Sequence, residues 1–278
     1  MPGFDFICPM NYPNRCDLPQ TEVDYLVKED GKKVGFLMYQ FDKQDKYLET
    51  AIKSYFEPRN CHVLDARSEP GTGVRICKIC RLATASHFGV GVLSPQNFNA
   101  YLEMGLIWGQ GKPILFIVNE KQLGQKKKLG DLAFDVSSFM YIVYSTQKEL
   151  EEGLRREGPI FLEKVRVVGL YQQELVKSVR DKLKKLKALD PENIEFLKMV
   201  LLIGKENFGY RFINSYLEEN FKGEHLFRIH YDHYLELISK VGFMETEKYS
   251  GSDLRVKTYH FSSALLPILR QEVFKEIE

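Results

Sequence analysis

One glutamate, Glu103, stands where a carboxylate could do chemistry. It follows the loop 94–99, and we expect Asn99 in that loop to open a helix with Glu103 in its first turn. The partial positive charge of a helix N-terminus favours an ionised carboxylate. Beside a sugar, such a carboxylate can stabilise an oxocarbenium-like transition state, or attack the anomeric carbon to give a covalent glycosyl-enzyme. Against this interpretation, a glutamate in the first turn of a helix more commonly complements the helix dipole at the surface.

The sequence around Glu103 alternates between apolar runs and segments with helical spacing. Short apolar runs are typical of buried parallel strands, and they occur at 34–39, 62–65, 88–93, 113–118 and 139–144. Amphipathic segments separate them, among them 45–57, 100–108 and 147–157. This alternation predicts an α/β domain with a doubly wound parallel sheet, of the flavodoxin or TIR type.

Such sheets bind ligands at the carboxyl ends of their strands, so the loops that follow the predicted strands are the candidate site. The glycine and proline loop 67–73 includes Gly73, whose backbone could approach a phosphate before the next helix. The side chains expected at this edge are those of Tyr39, Gln40, Phe41, Asp65, Arg67, Ser94, Asn97, Asn99 and Glu103.

The order of these motifs resembles that of nucleoside 2-deoxyribosyltransferase-like proteins, and equally that of the TIR-like domains that share their architecture. Residues 97–105, NFNAYLEMG, lead to Gly-Lys-Pro at 111–113 and an apolar strand, as in the central motif of that family. Residues 39–42 match its first strand-end loop, where the family often shows Pro-Phe-Asp, and residues 65–73 match its second loop. The resemblance extends over about residues 33–157.

The resemblance implies that Glu103 is the catalytic glutamate, that Tyr39 and Asp65 lie near the sugar and base, and that Asn99 orients Glu103 or contacts a ribose or phosphate. The transferases usually carry an aspartate about six residues before the glutamate, and Asn97 stands there. An amide cannot transfer a proton as a carboxyl group does. This departure weakens the hypothesis that the protein catalyses a base-exchange reaction. It affects NAD hydrolysis less, because the nicotinamide leaving group is already positively charged, and it leaves open a domain that only binds a nucleotide.

The rest of the chain predicts a second domain. We divide the sequence into an N-terminal arm (1–30), the α/β domain (31–158), a charged helical connector (159–189) and a winged-helix-like domain (190–278). In the last, helices at 191–203, 208–221 and 230–241 precede a hairpin with turn residues at 250–253. DNA is a possible partner of this domain, although the expected recognition helix carries Asp232 and Glu236.

Composition excludes little beyond membrane insertion. The 278 residues carry a net charge of +1, with 44% hydrophobic and 28% charged residues, so no global charge draws the chain to nucleic acid. No apolar run reaches the roughly 18–20 residues needed to span a bilayer, and we expect a cytoplasmic protein. Cys8, Cys16, Cys77 and Cys80 could together bind zinc, but we favour core or incidental cysteines and expect no metal and no cofactor.

Two functions of different classes remain. The first is an enzyme that cleaves an N-glycosidic bond in NAD or a related nucleotide or nucleoside, with Glu103 as the essential carboxylate and with Asn99 and Tyr39 assisting. The second is a non-catalytic regulator whose α/β domain senses a nucleotide while its winged helix binds DNA or a protein partner. In either case we expect a homo-oligomer.

Overall fold

The computed structural model describes residues 32–41, 46–67, 75–123, 141–202, 207–209, 225–248 and 257–275. The chain divides into two compact units, and the boundary falls between Tyr171 and Gln172. The predicted N-terminal arm, with Cys8 and Cys16, lies outside the described residues.

The first unit contains a five-stranded parallel sheet with helices on both faces. Its strands pair in the order β2-β1-β3-β4-β5, and every neighbouring pair is parallel. This confirms the predicted doubly wound α/β class, and the strand order is that of flavodoxin-like sheets. In chain order the elements are β1 (Lys33–Met38), α1 (Tyr47–Phe56), β2 (Cys61–Asp65), α2 (Arg75–Ala85), β3 (Phe88–Val92), α3 (Phe98–Gly109), β4 (Ile114–Asn119), β5 (Tyr141–Tyr144) and α4 (Gln147–Leu189).

The apolar strand runs form this sheet because both of its faces are covered. Successive strand residues alternate between two cores: Phe36 belongs to the core shared with α2 and α3, whereas Leu37 belongs to the core shared with α1 and α4. The strand order reverses between β1 and β3, which places the topological switch point, and the crevice expected there, after Met38.

Helix α4 is one continuous element, although the sequence analysis predicted a helical segment at 147–157 and a separate helical connector at 159–189. Pro159 lies inside it and removes one backbone hydrogen bond. Leu154 before the proline and Phe161 and Val165 after it are all buried in the core of the first unit. Because packing of the apolar face supplies most of a helix's stability, this contact maintains the helix through the proline.

The second unit combines helices with a three-stranded antiparallel sheet. Its strands are β6 (Asn207–Gly209), β7 (Met244–Lys248) and β8 (Lys257–Phe261), paired in the order β6-β8-β7. The residues after 171 also include the end of α4 together with α5 (Glu192–Leu202), α6 (His225–Lys240) and α7 (Leu266–Glu272), and side chains from all four helices form one core.

The predicted hairpin pairing is therefore present, while the winged-helix assignment and the domain boundaries remain predictions. The predicted helix at 208–221 and the hairpin turn at 250–253 lie outside the described residues, apart from the β6 residues 208 and 209. None of the helices in the described part of the chain is long and apolar enough to cross a bilayer.

The aromatic contacts of Phe161 give a direct test of how α4 is anchored. Phe161 is fully buried, with its ring centroid 5.5 Å from that of Phe88 and 6.3 Å from that of Phe56. We expect Phe161→Ala to lower the free energy of unfolding of the first unit by about 3–5 kcal/mol, and the adjacent, exposed Ile160→Ala to change it by less than about 0.5 kcal/mol. Urea unfolding followed by the fluorescence of the single tryptophan, Trp108, measures both values. Equal effects of the two substitutions would contradict this packing.

Candidate active site

Asn97, and not Asn99, begins the helix that carries Glu103. Asn97 has an extended backbone, and its Oδ1 accepts hydrogen bonds from the backbone N–H groups of Asn99 (2.8 Å) and Ala100 (3.2 Å). Both asparagines suit an N-cap, but only the side chain of the first faces the free N–H groups. Glu103 consequently lies in the second turn of α3, where the favourable effect of the helix dipole on a carboxylate has largely faded.

The Glu103 side chain is largely buried and has no hydrogen-bond partner among the described residues. The residue is only 7% exposed, and its side chain forms no hydrogen bond with any residue of the described ranges. Burial, and secondarily the negative charge of Asp65, raises the pKa of Glu103 to about 7. The sequence analysis expected a carboxylate that stays ionised, whereas a pKa of about 7 predicts that Glu103 exchanges its proton near neutral pH.

Asp65, the last residue of β2, is a second buried carboxylate with the opposite environment. Its Oδ1 accepts a hydrogen bond from the backbone N–H of Arg67 (2.7 Å) and lies 3.4 Å from Arg67 Nε. Its Oδ2 accepts from Arg67 Nη2 at 2.8 Å. The hydrogen bond to Asp65, followed by the one to Glu49, raises the pKa of Arg67 above its usual value, so the guanidinium stays charged. Asp65 is thus compensated, while Glu103 is not.

Tyr39 extends this network to a residue that the sequence analysis missed, Glu49 in the first turn of α1. The Tyr39 hydroxyl donates to Glu49 Oε2 at 2.8 Å, and Arg67 Nη2 contacts both the Tyr39 hydroxyl and Glu49 Oε2, the latter at 2.6 Å. Burial raises the pKa of Glu49, but hydrogen bonds from Lys53, Tyr39 and Arg67 outweigh it and lower the pKa to about 2. Burial, the hydrogen bond to Glu49 and the nearby carboxylates hold the pKa of Tyr39 well above its usual range.

Phe41 lies on the same network. The Arg67 guanidinium carbon is 4.5 Å from the centre of its ring, and the ring meets that of Tyr39 edge to face with centroids 4.7 Å apart. Phe41 is 38% exposed, so part of its ring remains open to solvent.

Other residues expected at the site have different roles or positions. Ser94 is fully buried, and its Oγ accepts a hydrogen bond from the backbone N–H of Asn119 at 2.5 Å. Gln40 is half-buried, Asn99 is exposed, and Gly73 lies outside the described residues. Tyr39 and Arg67 thus contact each other, and both contact Phe41 and Asp65. Of these residues, Asp65 acts on Glu103 through its charge.

The Gly-Lys-Pro motif has a structural explanation. Lys112 Nζ donates hydrogen bonds to the carbonyl oxygens of Ala83 and Thr84, both at 2.7 Å. It thereby gives hydrogen-bond partners to carbonyl groups at the C-terminal end of α2. Burial lowers the pKa of Lys112 to about 7.

The described part of the chain shows no metal site. Cys77 and Cys80 lie on α2 and form no disulfide with any described residue, and the described ranges contain no cluster of three or more histidine, cysteine, aspartate or glutamate residues suited to a metal ion. A zinc site that also used Cys8 and Cys16 would fall outside the described residues.

Comparison with known proteins gives limited information. No family model matches the chain, and no curated protein matches its sequence. Among solved structures, the chain is similar to a CMP N-glycosidase from Clostridium botulinum, with a TM-score of 0.34 and 16% sequence identity over 44% of this chain and 98% of that one. At this level of similarity, the function of this chain has to be argued from its own residues.

The buried carboxyl group of Glu103 has a consequence for stability that does not depend on any substrate. Because its pKa is raised from 4.5 to about 7, the folded state binds this proton more tightly than the unfolded state. The resulting stabilisation is present below the unfolded pKa and is lost as the pH rises through about 7. We therefore expect Glu103→Gln to be more stable than the wild type at alkaline pH, by roughly 3 kcal/mol at most, from 1.36 kcal/mol per pKa unit.

Thermal unfolding at about pH 5 and about pH 8 measures this difference. Glu152→Gln, at an exposed position on α4, serves as the control and should change neither midpoint. A Glu103→Gln variant with the same shift relative to wild type at both pH values would show that Glu103 ionises normally.

Proposed function

We propose that the first unit cleaves the N-glycosidic bond of a nucleotide or nucleoside, with Glu103 as the carboxylate that acts at the anomeric carbon. The observation that carries this proposal is the Glu103 side chain, which is largely buried, has no hydrogen-bond partner among the described residues and is close enough to Asp65 for that charge to raise its pKa. A strongly perturbed carboxyl group at the switch point of a doubly wound sheet is a functional site candidate on physical grounds.

Burial gives this carboxylate the energetics that a glycosidase needs. Once ionised, Glu103 is largely buried and receives no hydrogen bond from the described residues, so its negative charge is poorly stabilised in the free protein. A positive charge that develops on a sugar ring beside it would supply the missing stabilisation. Because that charge is larger in the oxocarbenium-like transition state than in the substrate, the interaction lowers the barrier rather than only strengthening binding.

In the reaction that we propose, a carboxylate oxygen of Glu103 forms a bond to the anomeric carbon while the bond from that carbon to the base nitrogen breaks. The electron pair of the broken bond leaves with the base, and water then hydrolyses the glycosyl ester. The side-chain oxygen of Asn97 caps α3, and its amide has no proton to transfer as an acid. This favours leaving groups that depart without protonation, such as the nicotinamide of NAD.

The neighbouring residues fit the recognition of a nucleotide. Arg67 Nη2 and Nε face Asp65 and Glu49, while Nη1 forms no hydrogen bond within the described ranges, which leaves donors for phosphate or base oxygens. The exposed part of the Phe41 ring offers an apolar surface for a base or sugar. The motif resemblance to nucleoside 2-deoxyribosyltransferase-like and TIR-like domains supports the same assignment.

A nucleotide sensor without activity is the second candidate. It is favoured by Asn97, which replaces the proton-transferring aspartate of the transferases, and by the separate second unit with its own core and sheet. In this alternative the first unit binds a nucleotide and residues 190–278 contact DNA or a protein. Assembly into a homo-oligomer and a cytoplasmic location remain predictions for both candidates.

Incubation with NAD and a panel of nucleosides and nucleotides separates the two functions. We expect release of a free base, and we expect Glu103→Gln, which keeps the shape but not the charge, to slow it by about 10³-fold or more. Chromatography of the released base measures the rate. Equal rates for the two proteins would exclude Glu103 as the catalytic group. Absence of turnover together with ligand-induced stabilisation, about 2.7 kcal/mol at a hundredfold excess over Kd, would instead support the sensor.

The pH dependence of the reaction identifies which form of Glu103 is active. A nucleophile must be ionised, so kcat/KM should rise as the pH increases through about 7 and reach a plateau above it. A kcat/KM that falls over the same interval would show that Glu103 acts as an acid and would contradict the nucleophilic role.

A further inference from the structure

Glu49 connects side chains that come from separate parts of the sequence. Its Oε1 accepts a hydrogen bond from Lys53 Nζ at 2.7 Å, while its Oε2 accepts from the Tyr39 hydroxyl at 2.8 Å and from Arg67 Nη2 at 2.6 Å. Tyr39 follows β1, Arg67 follows β2, and both Lys53 and Glu49 lie on α1. No motif of the resemblance includes Glu49.

The contacts of Glu49 and Asp65 fix one edge of the Arg67 guanidinium. Nη2 lies within hydrogen-bond distance of both carboxylates, and Nε lies 3.4 Å from Asp65 Oδ1. The remaining amino group, Nη1, forms no hydrogen bond with any residue that the structure describes. Arg67 is half exposed, so a guanidinium held in this way keeps donors for a ligand while its orientation is set in advance.

Glu49 also accepts the hydrogen bond that the Tyr39 hydroxyl donates. That hydroxyl donates its single proton to Glu49, at 2.8 Å, whereas Asp65 Oδ2 is 3.5 Å away. Tyr39 therefore acts in this arrangement as a link between Glu49 and Arg67 rather than as a proton donor to a substrate.

Charge balance depends on Glu49 as well. Glu49 and Asp65 supply two negative charges, and Lys53 and Arg67 supply two positive charges, so the four side chains together are neutral. Without Glu49 the remaining three would carry one net positive charge, and Arg67 would keep only Asp65 as a carboxylate partner among the described residues.

We propose that Glu49 is a positioning residue of this side-chain cluster, which holds Tyr39 and Arg67 in the arrangement that offers Arg67 Nη1 and the exposed part of the Phe41 ring to the substrate. The identity of that substrate rests on the proposed function, whereas the positioning of Arg67 does not. Glu49 acts through Arg67 and has no role at the reacting atoms.

The positioning is tested first in the full chain without any ligand. In ¹⁵N NMR spectra of the arginine guanidinium groups, assigned with Arg67→Lys, we expect slow rotation about the Cζ bonds of Arg67 in the wild type. Glu49→Gln should accelerate this rotation by roughly tenfold or more, because one charge-assisted contact is lost. Glu57→Gln, at an exposed position directly after α1, should leave it unchanged. An unchanged Arg67 signal in Glu49→Gln would overturn the proposal.

The second measurement is the rate of base release from the most rapidly cleaved member of the nucleoside and nucleotide panel. We expect Glu49→Gln to raise KM about tenfold while kcat stays within about twofold. The reason is that a lost binding contact weakens the binding of the substrate and of the transition state alike. Glu49→Asp retains the charge with a shorter reach, so its KM should lie between those of the wild type and Glu49→Gln. Should Glu49→Gln fail to fold, a wild-type KM in Glu49→Asp would overturn the role assigned to Glu49. A fall in kcat at constant KM, or no recovery by aspartate, would overturn the role assigned to Glu49.

The two measurements separate failure of this proposal from failure of the proposed function. Base release that survives in Glu103→Gln, or no release from any member of the panel, contradicts the proposed chemistry. The NMR measurement still decides whether Glu49 positions Arg67.

Discussion

A carboxyl group that is removed from water and receives no hydrogen bond holds its proton far more tightly than one in solution, because its charged form has lost the solvent that stabilised it. Glu103 is largely buried and receives no hydrogen bond from the described residues, and the negative charge of Asp65 adds to the effect. Ionisation of such a group lowers the free energy of unfolding, and a positive charge beside it restores the lost stability. The proposed chemistry depends on this poorly compensated negative charge.

The fold compensates one of two neighbouring carboxylates and not the other, because it gives them different surroundings. Asp65 ends β2 and is compensated by Arg67, which is in turn held by Glu49 and Tyr39. Glu103 comes from the opposite face of the sheet, on α3, and meets none of these donors.

Local sequence patterns were sufficient for the sheet and insufficient for the site network. A strand that is buried on both faces needs apolar residues at successive positions, so apolar runs predict buried strands. All five predicted strands are present in the sheet. The start of α3 was wrong by two residues because Asn97 and Asn99 are equally good caps in sequence. The contacts of Glu49 and Lys112 join residues far apart in the chain, so no local pattern reveals them.

The most direct test of this account is titration of Glu103 itself. In a protein labelled with ¹³C at the glutamate carboxyl carbons, the signal that disappears in Glu103→Gln should titrate with a midpoint of about 7, and Asp65→Asn should lower that midpoint because a nearby negative charge is removed. A midpoint near 4.5, the ordinary value, would show that the carboxyl group is well solvated or hydrogen-bonded and would contradict the account.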